Sequence, residues 1–209
     1  MNANEIVDIL ETMFPDAHCE LTYRNSFELA IAVMLSAQTT DNAVNRVTPA
    51  LFERFKDPQA FAQADEKEIA SYIKSIGLYR NKAKNIQKLA LKLVEDFDGI
   101  VPRTMEELTS LPGLGRKSAN VILSECFNVP AIAVDTHVER IAKRLRLAYK
   151  NDSVLVVERK LQRKIAKERW IKAHHLFIFF GRYKCKALNP DCADCPFASF
   201  CRKDVLKQK

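Results

Sequence analysis

Apolar residues recur three and four positions apart along almost the whole chain, the period of a helix with one buried face. Ile6, Leu10, Met13 and Phe14 share one such face, and Val138, Ile141 and Leu145 share another. The pattern predicts helices over about 3–14, 26–37, 41–55, 58–63, 66–76, 80–97, 104–111, 116–126, 136–148, 153–167 and 169–181. Four pairs match capping-box spacing at the start of an apolar run: Asn25 with Glu28, Asp65 with Glu68, Thr104 with Glu107 and Thr136 with Glu139. No stretch alternates as a strand does. The predicted class is therefore all-α, with short connectors between helices.

The pattern also limits where the chain resides. Its longest apolar stretch, Phe27 to Ala37, carries Glu28 and has about half the ~20 residues a membrane-spanning helix needs. The N-terminal segment is broken by Glu5, Asp8 and Glu11, unlike the apolar core of a secretory signal. A cytoplasmic protein with no membrane partner is expected. The 209 residues allow one large domain or two small ones, and a hydrophobic content of 47% supports a real core. A net charge of +7 adds a weak pointer to a polyanionic partner.

Periodicity ends near Lys184, and chemistry takes over. Cys185, Cys192, Cys195 and Cys201 are spaced C-x6-C-x2-C-x5-C within a tail rich in Pro, Asp and Asn. Disulfides are rare in a reducing compartment. Four thiolates so close suit a closed, structural metal centre, and spacing alone leaves zinc and iron–sulfur open. Lys184, Lys186, Arg202 and Lys203 flank the tail, as solvated charges or as phosphate contacts. Cys19 and Cys126 stand apart and read as small core residues.

A second chemical element is Leu111-Pro112-Gly113-Leu114-Gly115-Arg116-Lys117, between two apolar helices. Gly113 and Gly115 permit left-handed backbone or close approach, and free N–H groups at the next helix start can bind phosphate. The simpler reading is a tight turn with no ligand. Lys117 sharpens the reading, because a cation in the first turn opposes the helix dipole. That field, Arg116 and burial would together favour a neutral, nucleophilic amine. Asp135 precedes the amphipathic helix of Val138, Ile141 and Leu145, as an N-cap and as a carboxylate able to steer protons. His137 reads as a structural hydrogen-bonder. A weak internal repeat aligns Gly77–Ala83 with Gly113–Ala119, either a true duplication or two corners converged on similar turn residues.

Together LPGLGRKSAN, AVDTHVERI and the four-cysteine tail resemble the endonuclease III family of helix–hairpin–helix DNA glycosylases. LSAQTTD at Leu35–Asp41 and IGLYRNKAKNI at Ile76–Ile86 extend the resemblance over nearly the whole chain. It implies a two-lobed fold: a six-helix barrel with the hairpin over 20–129, and an iron–sulfur lobe of 1–19 and 130–209. The cluster loop at 185–201 would hold a [4Fe–4S] cofactor on Cys185, Cys192, Cys195 and Cys201. Damaged double-stranded DNA is the implied partner, with Gly113, Gly115, Arg116 and Lys186 on its phosphates and a monomer sufficing. The resemblance further implies excision of oxidised pyrimidines and strand cleavage by β-elimination. Lys117 would attack C1′ of a flipped nucleotide and Asp135 would assist. Gln38 would fill the vacated space, and Leu78 would wedge into the stack.

Rival readings make different demands. Adenine-excising relatives usually lack a lysine at this hairpin position and carry a further C-terminal domain, neither of which is expected here. Uracil- or mismatch-directed glycosylases of the same superfamily remain open. A non-catalytic helix–hairpin–helix DNA-binding module would need neither Lys117 nor Asp135. A zinc-stapled helical interaction protein would need no DNA.

Overall fold

A computed structural model of the chain describes residues 1–202. Eleven α-helices and no strand occur among them. They are α1 (Ala3–Met13), α2 (Ser26–Leu35), α3 (Asp41–Arg54), α4 (Pro58–Gln63), α5 (Glu66–Tyr72), α6 (Tyr79–Phe97) and α7 (Met105–Ser110). α8 (Arg116–Phe127), α9 (Thr136–Arg144), α10 (Val154–Lys164) and α11 (Trp170–Phe179) follow. None is long and apolar enough to cross a membrane.

The helices form two compact units. One is Glu20–Phe127, and the other joins Met1–Cys19 to the segment that begins at Asn128. The first holds α2 to α8 around α2, which is buried from Phe27 to Leu35. The apolar stretch that was too short for a membrane is thus the central helix of a core. Its one acid, Glu28, is 3% exposed and accepts the Arg24 backbone N–H at 2.7 Å and Arg24 Nε–H at 2.8 Å. Those bonds satisfy a charge that would be costly to bury alone. α6 packs on α2, α4 and α5, and α8 packs on α2 and α7.

In the second unit α9 contacts α10 and α11, and α1 contacts the same two helices. Ile6, Val7 and Leu10 of α1 are fully buried. The first helix therefore completes a core built mostly by the last third of the chain. Asn4 Oδ1 accepts the Ala166 N–H at 3.2 Å and ties the two stretches together.

Several boundaries move for local reasons. The cap of α9 is Asp135, not Thr136. A complete capping box instead starts α1, where Asn2 and Glu5 satisfy each other's backbone N–H groups. Before α2, Asn25 caps the Glu28 N–H, but the Glu28 side chain turns to Arg24 instead of closing a box. α9 stops at Arg144 where the pattern ran to 148, because Arg146 takes a left-handed φ of +62°. The Leu147 N–H then returns to the Ala142 carbonyl at 2.8 Å, closing a Schellman turn without glycine. After α11 the chain winds into a π-turn, Phe180–Lys184, closed by Cys185 N–H on the Phe180 carbonyl at 2.7 Å. Such turns favour functional sites, and this one delivers the first cysteine of the tail.

Candidate functional site

The hairpin lies between α7 and α8. Leu111 is the C-cap of α7, and the Leu114 N–H returns to the Leu111 carbonyl at 3.2 Å. Leu111 and Leu114 are buried, so the turn is nailed to the core by its two leucines. Its two glycines have different reasons. Gly113 has φ +83°, and a Cβ there would stand 2.9 Å from Met34 Cε and 3.3 Å from Asn85 Cβ. Nothing lies within 4 Å of a Cβ built on Gly115. Gly113 is required by the fold, whereas Gly115 leaves an open, exposed face at the start of α8. Arg116 and Lys117 are exposed in the first turn. Lys117 is thus not buried, contrary to the expectation from sequence.

The internal repeat does not share this backbone. Its left-handed residue is the second one, Leu78, with φ +59°, where the hairpin uses the first, Gly113. Leu78 is 57% exposed while its counterpart Leu114 is 5% exposed. Other pairs match in environment: Ala83 and Ala119 are both fully buried, and Arg80 and Arg116 are both exposed. Convergent corners explain this better than two equivalent hairpins.

Gln38 is also exposed and left-handed, φ +54°, in the turn between α2 and α3. Lys82 lies beneath that turn. It is 5% exposed and donates to the Leu35 carbonyl at 2.8 Å and to Thr39 Oγ1 at 2.7 Å. Burial holds its amine below the ordinary lysine range. Gln38, Leu78 and the hairpin thus rest on one junction, the end of α2 against the start of α6. Sequence reading missed Lys82. Its signal was a lysine in register with the buried Ala83, Ile86, Leu89 and Ala90 of an amphipathic helix.

In the other unit Asp135 is half-buried and caps α9. One of its oxygens, Oδ1, accepts both the His137 and Val138 N–H groups at 2.8 Å. His137 Nδ1 lies 3.2 Å from Arg140 Nη2. Burial is the main influence lowering the His137 pKa, with Arg140 and Arg182 adding to it against Asp135. A neutral, hydrogen-bonded ring fits the structural role expected of it.

α9 also carries the cysteine loop. Arg140 Nη2 donates to the Gly181 carbonyl at 2.7 Å. Arg144 Nη1 donates to Cys185 Sγ at 3.1 Å and to the Lys186 carbonyl at 2.8 Å, and its own carbonyl accepts the Arg202 N–H at 2.8 Å. Arg140 and Arg144 are buried and four residues apart, a clamp along one helix face that sequence reading also missed. Phe197, fully buried, packs edge-on against Phe180 and anchors the loop centre.

No disulfide joins any of the six cysteines, all of which are half-buried. Cys185, Cys195 and Cys201 pack against the unit's core. Burial pushes the Cys195 thiol up, the Phe197 N–H opposes it, and the nearby Cys185 and Cys192 push it further. Among the described residues no set of three or more His, Cys, Asp or Glu side chains is gathered as a finished metal site. Lys186 is exposed, Lys184 pairs with Asp191 at 2.6 Å, and Lys203 lies outside the described residues. Cys126 is held at a pKa of about 11, by burial first and Glu125 second, which removes it as a reactive group.

Comparisons with known proteins agree with this layout. Residues 31–167 match the HhH-GPD family, described as "HhH-GPD superfamily base excision DNA repair protein". Endonuclease III of Bacillus subtilis (strain 168) is 56% identical over 203 residues, 97% of this chain and 93% of that protein. A solved structure of a trapped endonuclease III–DNA covalent intermediate superposes with TM-score 0.94 at 53% identity, covering 99% of this chain and 97% of the other. A thermostable thymine-DNA glycosylase shares the fold, with TM-score 0.87 at 21% identity over 98% of this chain and 96% of its own.

Proposed function

The chain belongs to the endonuclease III family of HhH-GPD base excision DNA repair proteins, and on that premise we propose that Lys117 is the nucleophile of a bifunctional DNA glycosylase and abasic-site lyase. The observation that carries this reading is an exposed primary amine in the first turn of the helix that the glycine hairpin opens. A relative 53% identical has been trapped as a covalent intermediate with DNA, and such an intermediate needs a nucleophile of this kind.

The substrate class is an oxidised pyrimidine in duplex DNA. The damaged nucleotide leaves the stack, at a cost of about a few kcal/mol that is lowest for a damaged base. Gln38 occupies the space it vacates and Leu78 enters the stack. The Lys117 amine attacks C1′ and the base departs with the electrons of its glycosidic bond. Asp135 takes the carboxylate part, steering the proton lost by the amine. The C1′–O4′ bond then opens, with O4′ taking its electrons and a proton, and C1′ becomes a Schiff base with Lys117. This draws electrons from the sugar, a proton leaves C2′, and the 3′ phosphate is eliminated. Gly115 and Arg116 at the start of α8, with Lys186 on the cysteine loop, hold phosphates. One chain carries all of these residues, so a monomer suffices.

The tail fits a [4Fe–4S] cluster, held by Cys185, Cys192, Cys195 and Cys201. The fit rests on four half-buried cysteines outside any disulfide and on an Arg144 N–H already directed at Cys185 Sγ. When bound, the cluster serves as a staple for a loop with little core of its own. Arg140 and Arg144 couple that loop to the helix that Asp135 caps.

Borohydride trapping on a duplex with one abasic site tests the nucleophile. The native chain should cross-link and cut. Lys117→Gln should lose both by roughly 10³-fold or more while duplex affinity changes only a few-fold. Undiminished trapping by the variant would remove Lys117 from the chemistry.

A further inference from the structure

Lys82 is a buried cation without an ion-pair partner among the described residues: its amine is engaged only by the Leu35 carbonyl and Thr39 Oγ1. A charge in that position is costly, and an apolar side chain would fill the same space more cheaply. What Lys82 holds explains its presence. Its side chain ties the end of α2 to Thr39, on either side of the turn that contains Gln38. Its backbone N–H, at 3.0 Å from the Leu78 carbonyl, makes the first hydrogen bond of α6. Gln38 and Leu78 are the two exposed residues that this junction keeps in left-handed backbone, φ +54° and +59°. Neither is glycine, and such conformations persist only where surroundings enforce them. No side chain caps α6 at Leu78.

We propose that Lys82 is a positioning residue that presets Gln38 and Leu78 as one rigid pair for entry into the base stack. The proposal rests on the reading of those two residues given above. Lys82 touches no nucleotide in this scheme. It removes the need to order two turns at the moment the stack opens, a form of preorganisation.

The test separates stack opening from the lysine chemistry. Full-length Lys82→Met and Thr39→Val are compared with the native chain on one abasic nucleotide in two settings, a duplex and a single strand. A single strand has no opposing stack to open, so the pair has no task there. The expected result is about a 10-fold or greater loss of cleavage on the duplex for Lys82→Met, with less than about a twofold change on the single strand. Thr39→Val, which deletes one acceptor at a half-exposed site, should show the same selectivity at smaller size. It also keeps the question open to test if Lys82→Met fails to fold. A 2-aminopurine placed opposite the abasic nucleotide should brighten when the Lys117→Gln chain binds and stay dim when Lys82→Met is added. Equal losses on both substrates, or an unchanged duplex rate in a folded Lys82→Met and in Thr39→Val, would overturn the proposal. Failure of the native chain to be trapped on the single strand would instead count against Lys117, so the two readings fail separately.

Discussion

Asp135 shows how one side chain divides its two oxygens. Oδ1 accepts two N–H groups at the start of α9, while the other oxygen accepts no hydrogen bond among the described residues. Capping and proton steering therefore do not compete for the same atom. Substitution separates them, since asparagine caps a helix about as well as aspartate but carries no charge. Asp135→Asn should melt within about 0.5 kcal/mol of the native chain, whereas Asp135→Ala should lose about 1 kcal/mol. Both should slow abasic-site cleavage to a similar degree, by on the order of 10²-fold, the usual size of a general-base contribution. Thermal melts and single-turnover cleavage read the two effects independently. A fully active Asp135→Asn would reduce Asp135 to a cap.

At the scale of elements, the hairpin makes its two glycines separable. Gly113 sits at φ +83° with the end of Met34 against it, and Gly115 has an ordinary φ and open space. Gly113→Ala should therefore destabilise by about 1–2 kcal/mol, mostly from the left-handed backbone, since the methionine tip can shift. Gly115→Ala should leave the melting point almost unchanged and weaken DNA binding, because a methyl group would stand where a phosphate approaches α8. Paired melting and binding curves would show crossed effects, and a Gly115→Ala chain with native affinity would remove the phosphate from that face. The same comparison explains what the sequence could and could not disclose. The pattern of apolar positions placed all eleven helices, most through one buried face and α2 through an apolar run buried all round. Helix ends set by non-glycine left-handed residues, Arg146 after α9 and Leu78 before α6, carry no compositional mark. Lys117 and the four cysteines were legible as candidates because a cation in a first turn opposes the helix dipole and clustered thiols need a purpose, while Asp135 was legible through the motif around it. Lys82, Arg140 and Arg144 looked like ordinary surface cations, and only tertiary burial distinguishes them.

Those buried cations change how the whole molecule's charge is counted. The chain carries a net +7, but Lys82, Arg140, Lys143 and Arg144 are each less than 9% exposed and are engaged with carbonyls, a thiol or Glu139. They cannot release counterions by meeting phosphates. The salt dependence of duplex binding should instead follow exposed cations such as Arg116 and Lys186. Each phosphate contact contributes about 0.9 to the slope of log K against log salt. Arg116→Ala and Lys186→Ala should each flatten that slope by about 0.9, and by about 1.8 together if both meet backbone phosphates of one duplex. Lys143→Met, which breaks the buried lysine's 2.6 Å pair with Glu139, serves as the control and should leave the slope alone. Binding titrations of the Lys117→Gln chain across a salt series, with and without these changes, measure all five slopes without turnover. If Lys143→Met flattened the slope as much as Arg116→Ala, bulk charge and not placed contacts would govern the affinity. The assignment of α8 and the cysteine loop to DNA phosphates would then fail.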